Sequence, residues 1–166
     1  EIEASCTIDL LRRAEVEVII ASCESELDVC GRSGIIMRAD QFLSDSDPSR
    51  FDLIVLPGGP AVFELRKNKE FLILLKRFAD QDRPIGAICA APLLLKDAGL
   101  INNKIITGHG SIIEELPQII TGQAVVKDGS IITSRGAGTA IEFGLSLVEV
   151  LCGTKVAQTI RESIHA

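Results

Sequence analysis

Pro84-Ile85-Gly86-Ala87-Ile88-Cys89-Ala90-Ala91-Pro92-Leu93-Leu94-Leu95 reads as a short apolar strand, an abrupt turn and a helix. The turn residue is Cys89. Gly86, Ala87, Ala90 and Ala91 are small enough for strand and helix to cross closely. This has the mechanics of a nucleophile elbow, with Cys in place of Ser. Such a turn pushes its side chain out at the carboxyl edge of a sheet. It also sets that side chain at a helix N-terminus, whose partial positive charge favours a thiolate. An isolated Cys reads more readily as a small core residue. The strand-turn-helix context reverses that reading.

The flanking segments alternate between the two kinds of element. Residues 2–14 place Ile2, Cys6, Leu10 and Leu11 on one helical face, with Arg12 and Arg13 in the last turn. Residues 15–22 read as a buried strand, 28–39 as a short hairpin with a strand at 35–37, and 51–56 as an apolar strand ending in Pro57-Gly58-Gly59-Pro60. Helices are expected over 69–80 and 90–98, and a short strand over 104–107 leads to Gly108-His109-Gly110. Ser111 is a candidate N-cap with Glu114 at the capping-box position. Asp128-Gly129 marks a late hairpin, and helices over 138–151 and 154–164 close the chain. This order predicts an α/β fold: a flavodoxin-like, doubly wound, mostly parallel sheet with helices on both faces, residues 1–166 forming one domain. In such sheets the site lies beyond the carboxyl ends of the strands. Three of those ends carry Gly58-Gly59, Cys89 and His109.

Composition narrows the function. The 166 residues are 46% hydrophobic, which suits a sheet buried on both faces. No apolar run approaches the roughly 18 residues of a membrane helix. A net charge of −6 without a dense Lys/Arg cluster argues against a nucleic-acid partner. The five cysteines form no CxxC pair. That pattern fits reduced thiols in a cytoplasmic compartment and neither a disulfide framework nor a zinc site. Two histidines leave little for a His-based metal site.

The glycines at 58 and 59 let backbone N–H groups approach a ligand. They are candidates, with the N–H of Cys89 or Ala90, for an oxyanion hole; a tight strand-helix turn is the alternative. His109 is a candidate base or ion-pair partner for Cys89. Glu3 sits in the first helical turn, where a carboxylate ordinarily favours the helix dipole. Its alternative role is to share a proton with the thiol, and the sequence does not choose it over Glu1. Arg32, Thr133 and Arg135 lie near turns with solvation as their default.

The set LPGG at 56–59, GAICAAP at 86–92, TGHG at 107–110 and ITSRGAGTAIEF at 132–143 resembles the ThiJ/PfpI superfamily, within it most the branch of the parkinsonism-associated protein deglycase. The likeness runs along essentially the whole chain. It implies a class I glutamine amidotransferase-like fold whose first strand lies upstream of Glu1. It implies Cys89 as an oxidisable nucleophile, Glu3 as the carboxyl hydrogen-bonded to it, His109 as a neighbour, and Gly59 with the Ala90 N–H as the oxyanion region. Cys30, Arg12 and Arg32 fall at the periphery of an implied homodimer. Two positions depart from the pattern. PfpI-branch peptidases carry His where Ala90 stands, and the deglycase branch often carries Pro where Gly110 stands. The expectation is a cofactor-independent, cysteine-dependent glyoxalase or deglycase acting on a small dicarbonyl or a glycated protein. The alternative is a redox sensor or chaperone-like stress protein.

Overall fold

The computed structural model describes residues 1–166. Its elements run α1 (Ile2–Arg13), β1 (Ala21–Ser22), β2 (Asp28–Cys30), β3 (Ile36–Arg38), β4 (Gln41–Phe42), β5 (Ile54–Leu56), α2 (Ala61–Leu65), α3 (Lys69–Ala79), β6 (Ile85–Ile88), α4 (Pro92–Asp97), β7 (Val125–Asp128), β8 (Ile131–Ser134), α5 (Ala140–Cys152) and α6 (Thr154–Ser163). The fold is α/β. Its main sheet has the order β5-β6-β8-β7, with β5-β6 and β6-β8 parallel and β7-β8 antiparallel across Asp128-Gly129. β1 pairs in parallel with β4, and β2 with β3 form the early hairpin.

Side chains alternate across the sheet, as the pleat requires. Ile85, Ala87 and Ile131 enter one apolar cluster with Phe71, Leu75 and Phe78 of α3 and Leu93–Leu95 of α4. Ile88 and Ile132 enter the other, with Leu10 and Leu11 of α1 and Phe143, Leu147 and Val148 of α5. Helices therefore cover both faces. Two residues fix local details. Asn68 caps α3 by accepting the Phe71 N–H at 3.1 Å. Gly144 lets α1 lie close on α5, since a Cβ there would stand 2.5 Å from Leu10 Cδ1. That crossing sets the height at which α1 presents Glu3.

Two expected strands differ from the structure. Over 15–22 only Ala21 and Ser22 have a ladder partner, Gln41 and Phe42. The residues before them line a cavity of about 1260 Å³ whose other walls include Leu53, Val55 and Gly58. Residues 104–107 are not a strand either. Their amides bond to side chains in place of a neighbouring strand, Ile105 N–H to Asp128 Oδ2 at 2.8 Å and Thr107 N–H to Thr133 Oγ1 at 2.9 Å. The helix after Cys89 begins at Pro92 and is shorter than expected. α2 falls in a stretch where no helix was expected.

Two exposed carboxylates and a partly buried one, Asp128, lie below their usual range. Hydrogen bonds from Ser49 lower Asp47, the Arg66 side chain lowers Glu115, and the Ile105 N–H lowers Asp128. Each is harder to protonate in the folded chain than in the unfolded one. Their stabilisation is present above the ordinary carboxylate range, about pH 4, and is lost as pH falls through the lowered folded values. Thermal melts followed by circular dichroism are expected to coincide between about pH 7 and 5 and to shift down below about 4.

Candidate active site

β6 ends at the elbow. Cys89 has φ 65°, a left-handed conformation that costs a non-glycine residue about 1–2 kcal/mol. Two backbone bonds hold it there. Its N–H donates to Ser134 O at the end of β8, and its carbonyl accepts the His109 N–H, both at 2.9 Å. The second bond ties the histidine segment to the elbow through main chain alone. The strain makes a testable prediction. Cys89→Gly is expected to be more stable than Cys89→Ala by about 1 kcal/mol in urea unfolding, the reverse of the usual order of these residues.

Glu3 reaches the same point from α1. Its Oε2 accepts the Gly58 N–H at 2.8 Å, and its carboxylate faces the Cys89 thiol. Glu1, the alternative carboxylate, turns away and accepts the Ser33 N–H with Oε1 at 2.6 Å. Residues two apart on a helix do not share a face, so only one of the pair can serve the thiol. Gly58 has no room for a side chain: a Cβ would stand 2.6 Å from Cys89 Cβ and 2.8 Å from Glu3 Oε2. Its amide is committed to Glu3. The amides that face the sulfur are those of Gly59 and Ala90.

The expected lowering of the thiol pKa is not what the site produces. Burial pushes Cys89 up to about 11, the facing Glu3 carboxylate adds to the rise, and the Gly59 and Ala90 N–H groups only partly offset it. Cys89 is half-buried, and α4 starts three residues further on. Two negative charges side by side are disfavoured here. The Cys89 thiol therefore keeps its proton through neutral pH.

His109 caps the 3-10 turn Gly110–Ile112, a role expected of Ser111. Its Nδ1 accepts the Ser111 N–H at 3.2 Å and lies 2.8 Å from Ser111 Oγ. The neutral ring therefore carries its proton on Nε2. Cδ2, beside Nε2 in the ring, faces Gly136, as does Cys89 Sγ. Gly136 was missed in the sequence. Its signal was its place just past the carboxyl end of β8, the strand beside β6. Away from the sulfur, Arg66 ties α4 to the segment after His109: its guanidinium forks to Asp97 at the end of α4 and to Glu115.

The remaining candidates lie elsewhere. Cys30 and Arg32 are exposed on the β2–β3 hairpin. Arg12 lies in the last turn of α1 and donates to Val18 O at 3.1 Å. Arg135 is exposed and donates to Thr121 O, whereas Thr133 is fully buried and serves Thr107. No helix is long and apolar enough to cross a membrane.

Comparison with known proteins follows the same lines. The DJ-1/PfpI family pattern matches residues 1–150. Protein DJ-1 homolog A of Arabidopsis thaliana is 42% identical over 96% of this chain, and a glutathione-independent glyoxalase of Caenorhabditis elegans is 32% identical over 96%. The alignments cover 87% of the nematode protein but only 42% and 36% of two Arabidopsis proteins, so the chain spans about two-fifths of those relatives' length. The crystal structure of Drosophila melanogaster DJ-1beta superposes with a TM-score of 0.94, 31% identity and coverage of 99% of this chain and 91% of that one. An oxidized Toxoplasma gondii DJ-1 gives 0.91, 32%, 98% and 90%.

Proposed function

This chain belongs to the DJ-1/PfpI family, and on that premise we propose that it is a cysteine-dependent, cofactor-independent glyoxalase and deglycase. The observation that carries the reading is the Cys89 thiol facing both the Glu3 carboxyl, held by the Gly58 N–H, and the Gly59 and Ala90 amides. The name of the nematode relative supports the substrate class.

The chemistry needs no external oxidant. Cys89 sulfur adds to the aldehyde carbon of methylglyoxal while its proton passes to Glu3, which removes the cost of ionising a thiol raised to about 11. The oxyanion beside the new C–S bond meets the Gly59 and Ala90 N–H groups. Glu3 returns its proton to that oxyanion, and the resulting hemithioacetal then loses the C–H proton of the former aldehyde carbon to the Glu3 carboxylate or His109. That proton returns at the ketone carbon while the hydroxyl proton passes to the former ketone oxygen, leaving a lactoyl thioester. Water hydrolyses it to lactate and the free thiol. One carbon is oxidised and its neighbour reduced, and the sum is methylglyoxal plus water. Adducts on Lys, Arg or Cys side chains would be opened by the same attack.

The test is methylglyoxal loss and lactate formation with the wild-type chain and Cys89→Ser. Turnover in the first and its absence in the second are expected; undiminished turnover in Cys89→Ser would sink the reading. A Bacillus subtilis relative, 31% identical over 84% of this chain, carries a cysteine-protease name. Ala90 stands here in place of the histidine that PfpI-branch peptidases carry, so peptidase activity is not proposed.

A second reading rests on the same donors. The Gly59 and Ala90 amides and a protonated Glu3 would hold the oxygens of a Cys89 sulfinate, and one related structure is that of an oxidized DJ-1. Peptide mapping after mild peroxide is expected to find sulfinate on Cys89 ahead of the exposed Cys23 and Cys30; uniform oxidation of all three speaks against it. The proposed partner is a second copy of the chain. Ile2 and Ile36 are 61% and 65% exposed, and the Glu1–Ser33 bond joins the start of α1 to the hairpin turn. Reduced cysteines fit a cytoplasmic setting, and all five are free.

A further inference from the structure

We propose that Gly136 is the specificity-determining position of this site and that Thr139 positions it. The proposal rests on the reading of Cys89 as a carbonyl-attacking thiol.

Gly136 opens the turn after β8 with φ 156° and ψ −165°, a conformation that only glycine adopts without strain. A Cβ on it would stand 3.5 Å from His109 Cδ2 and 3.9 Å from both Cβ and Sγ of Cys89. These are ordinary contact distances. A methyl group would displace neither side chain, but it would fill the space between them. That space is the one a substrate must use if its reacting carbon is bound to Sγ and its neighbouring carbon is within reach of His109. The empty side-chain position at 136 is therefore where the group attached to the aldehyde lies. Its size decides which α-oxoaldehydes enter.

Gly136 is held in this conformation by the Thr139 side chain. Thr139 Oγ1 accepts the Gly136 N–H at 3.2 Å and lies 2.9 Å from Gly136 O. It also lies 2.7 Å from Ser134 Oγ, which donates to Ala124 O at 2.8 Å. Hydroxyl protons can be placed so that each hydroxyl accepts one bond and donates one, running from Gly136 N–H through Thr139 and Ser134 to Ala124. Thr139 and Ser134 are both buried. The carbonyl of Ser134 accepts the Cys89 N–H. One residue thus anchors both the elbow and the turn facing it, and Thr139 carries that anchorage to Gly136 without touching the reacting atoms.

The test compares kcat and KM for glyoxal and methylglyoxal, which differ by one methyl group, in the wild-type chain, Gly136→Ala, Thr139→Ser and Thr139→Val. Gly136→Ala is expected to lose at least about tenfold more kcat/KM on methylglyoxal than on glyoxal, the range one methyl commands in a closed pocket. Thr139→Val is expected to raise KM for methylglyoxal with kcat changed less, and Thr139→Ser to restore it. Equal losses on both substrates in Gly136→Ala, or a wild-type KM in Thr139→Val, would overturn the proposal. A second readout needs no turnover: the rates at which iodoacetamide and N-cyclohexylmaleimide label Cys89. Gly136→Ala is expected to slow the bulky reagent at least about tenfold more than the small one, and equal slowing would overturn the proposal. If the wild-type chain turns over neither dicarbonyl but labelling is size-selective, the glyoxalase reading fails and the assignment of Gly136 stands. Should Gly136→Ala fail to fold, the Thr139 pair, labelled with the same two reagents, decides alone. Wild-type selectivity in Thr139→Val would then overturn it.

Discussion

Glu3→Gln is expected to lower kcat/KM for methylglyoxal at least about a hundredfold while leaving the melting temperature near that of the wild-type chain, since a positioned general base contributes about 10²–10⁴. The amide side chain keeps an oxygen to accept the Gly58 N–H, the 2.8 Å bond that holds Glu3 in place. It cannot take up the thiol proton. With Cys89 pushed up to about 11, little thiolate exists at neutral pH unless the proton has somewhere to go. The substitution therefore separates orientation from proton transfer. Steady-state kinetics beside a thermal melt check it. Full activity in Glu3→Gln would mean that the amides of Gly59 and Ala90 suffice to activate the sulfur.

Gly58→Ala is expected to damage both stability and activity. The added methyl carbon would stand 2.6 Å from Cys89 Cβ, 2.8 Å from Glu3 Oε2 and 2.9 Å from the Ile88 carbonyl oxygen. Two of these belong to the elbow, whose backbone is held by bonds to Ser134 and His109. Neither can yield without breaking one of them. Overpacking of this kind costs about 1–3 kcal/mol, and a shift of Glu3 or Cys89 by even a fraction of an ångström separates thiol from base. Loss of roughly a hundredfold or more in kcat/KM is expected, with a lowered urea midpoint. A variant with wild-type kinetics would show that the Glu3–Gly58–Cys89 contact is not needed.

What the sequence made legible follows from how local each feature is. The run Ile85–Ile88 is apolar throughout, so it reads as a strand buried on both faces, and the structure buries all four residues. Asp128-Gly129 announces its hairpin through turn chemistry confined to two residues. The elbow and the Gly58-Gly59 turn were readable for the same reason. The rest depends on distant partners. Glu1 and Glu3 are both carboxylates at the start of one helix, told apart only when one meets the Ser33 N–H and the other the Gly58 N–H. Residues 104–107 have strand-like composition, yet their amides meet Asp128 and Thr133 side chains. The direction of the Cys89 pKa was misread because the helix dipole is visible in sequence, whereas burial and the carboxylate brought by α1 are not. Gly136 has a backbone conformation fixed by Thr139, and its closeness to Cys89 and His109 arises only when β6 and β8 pair.

Covalent chemistry at Cys89 is the centre of the account. The most direct measurement mixes the protein with methylglyoxal for less than one turnover, quenches with acid and maps the peptides by mass spectrometry. A single adduct, of one methylglyoxal unit, is expected on the Cys89 peptide of the wild-type chain, and a more slowly formed one in Glu3→Gln. No adduct on Cys89, or equal modification of Cys23, Cys30 and Cys89, would contradict it.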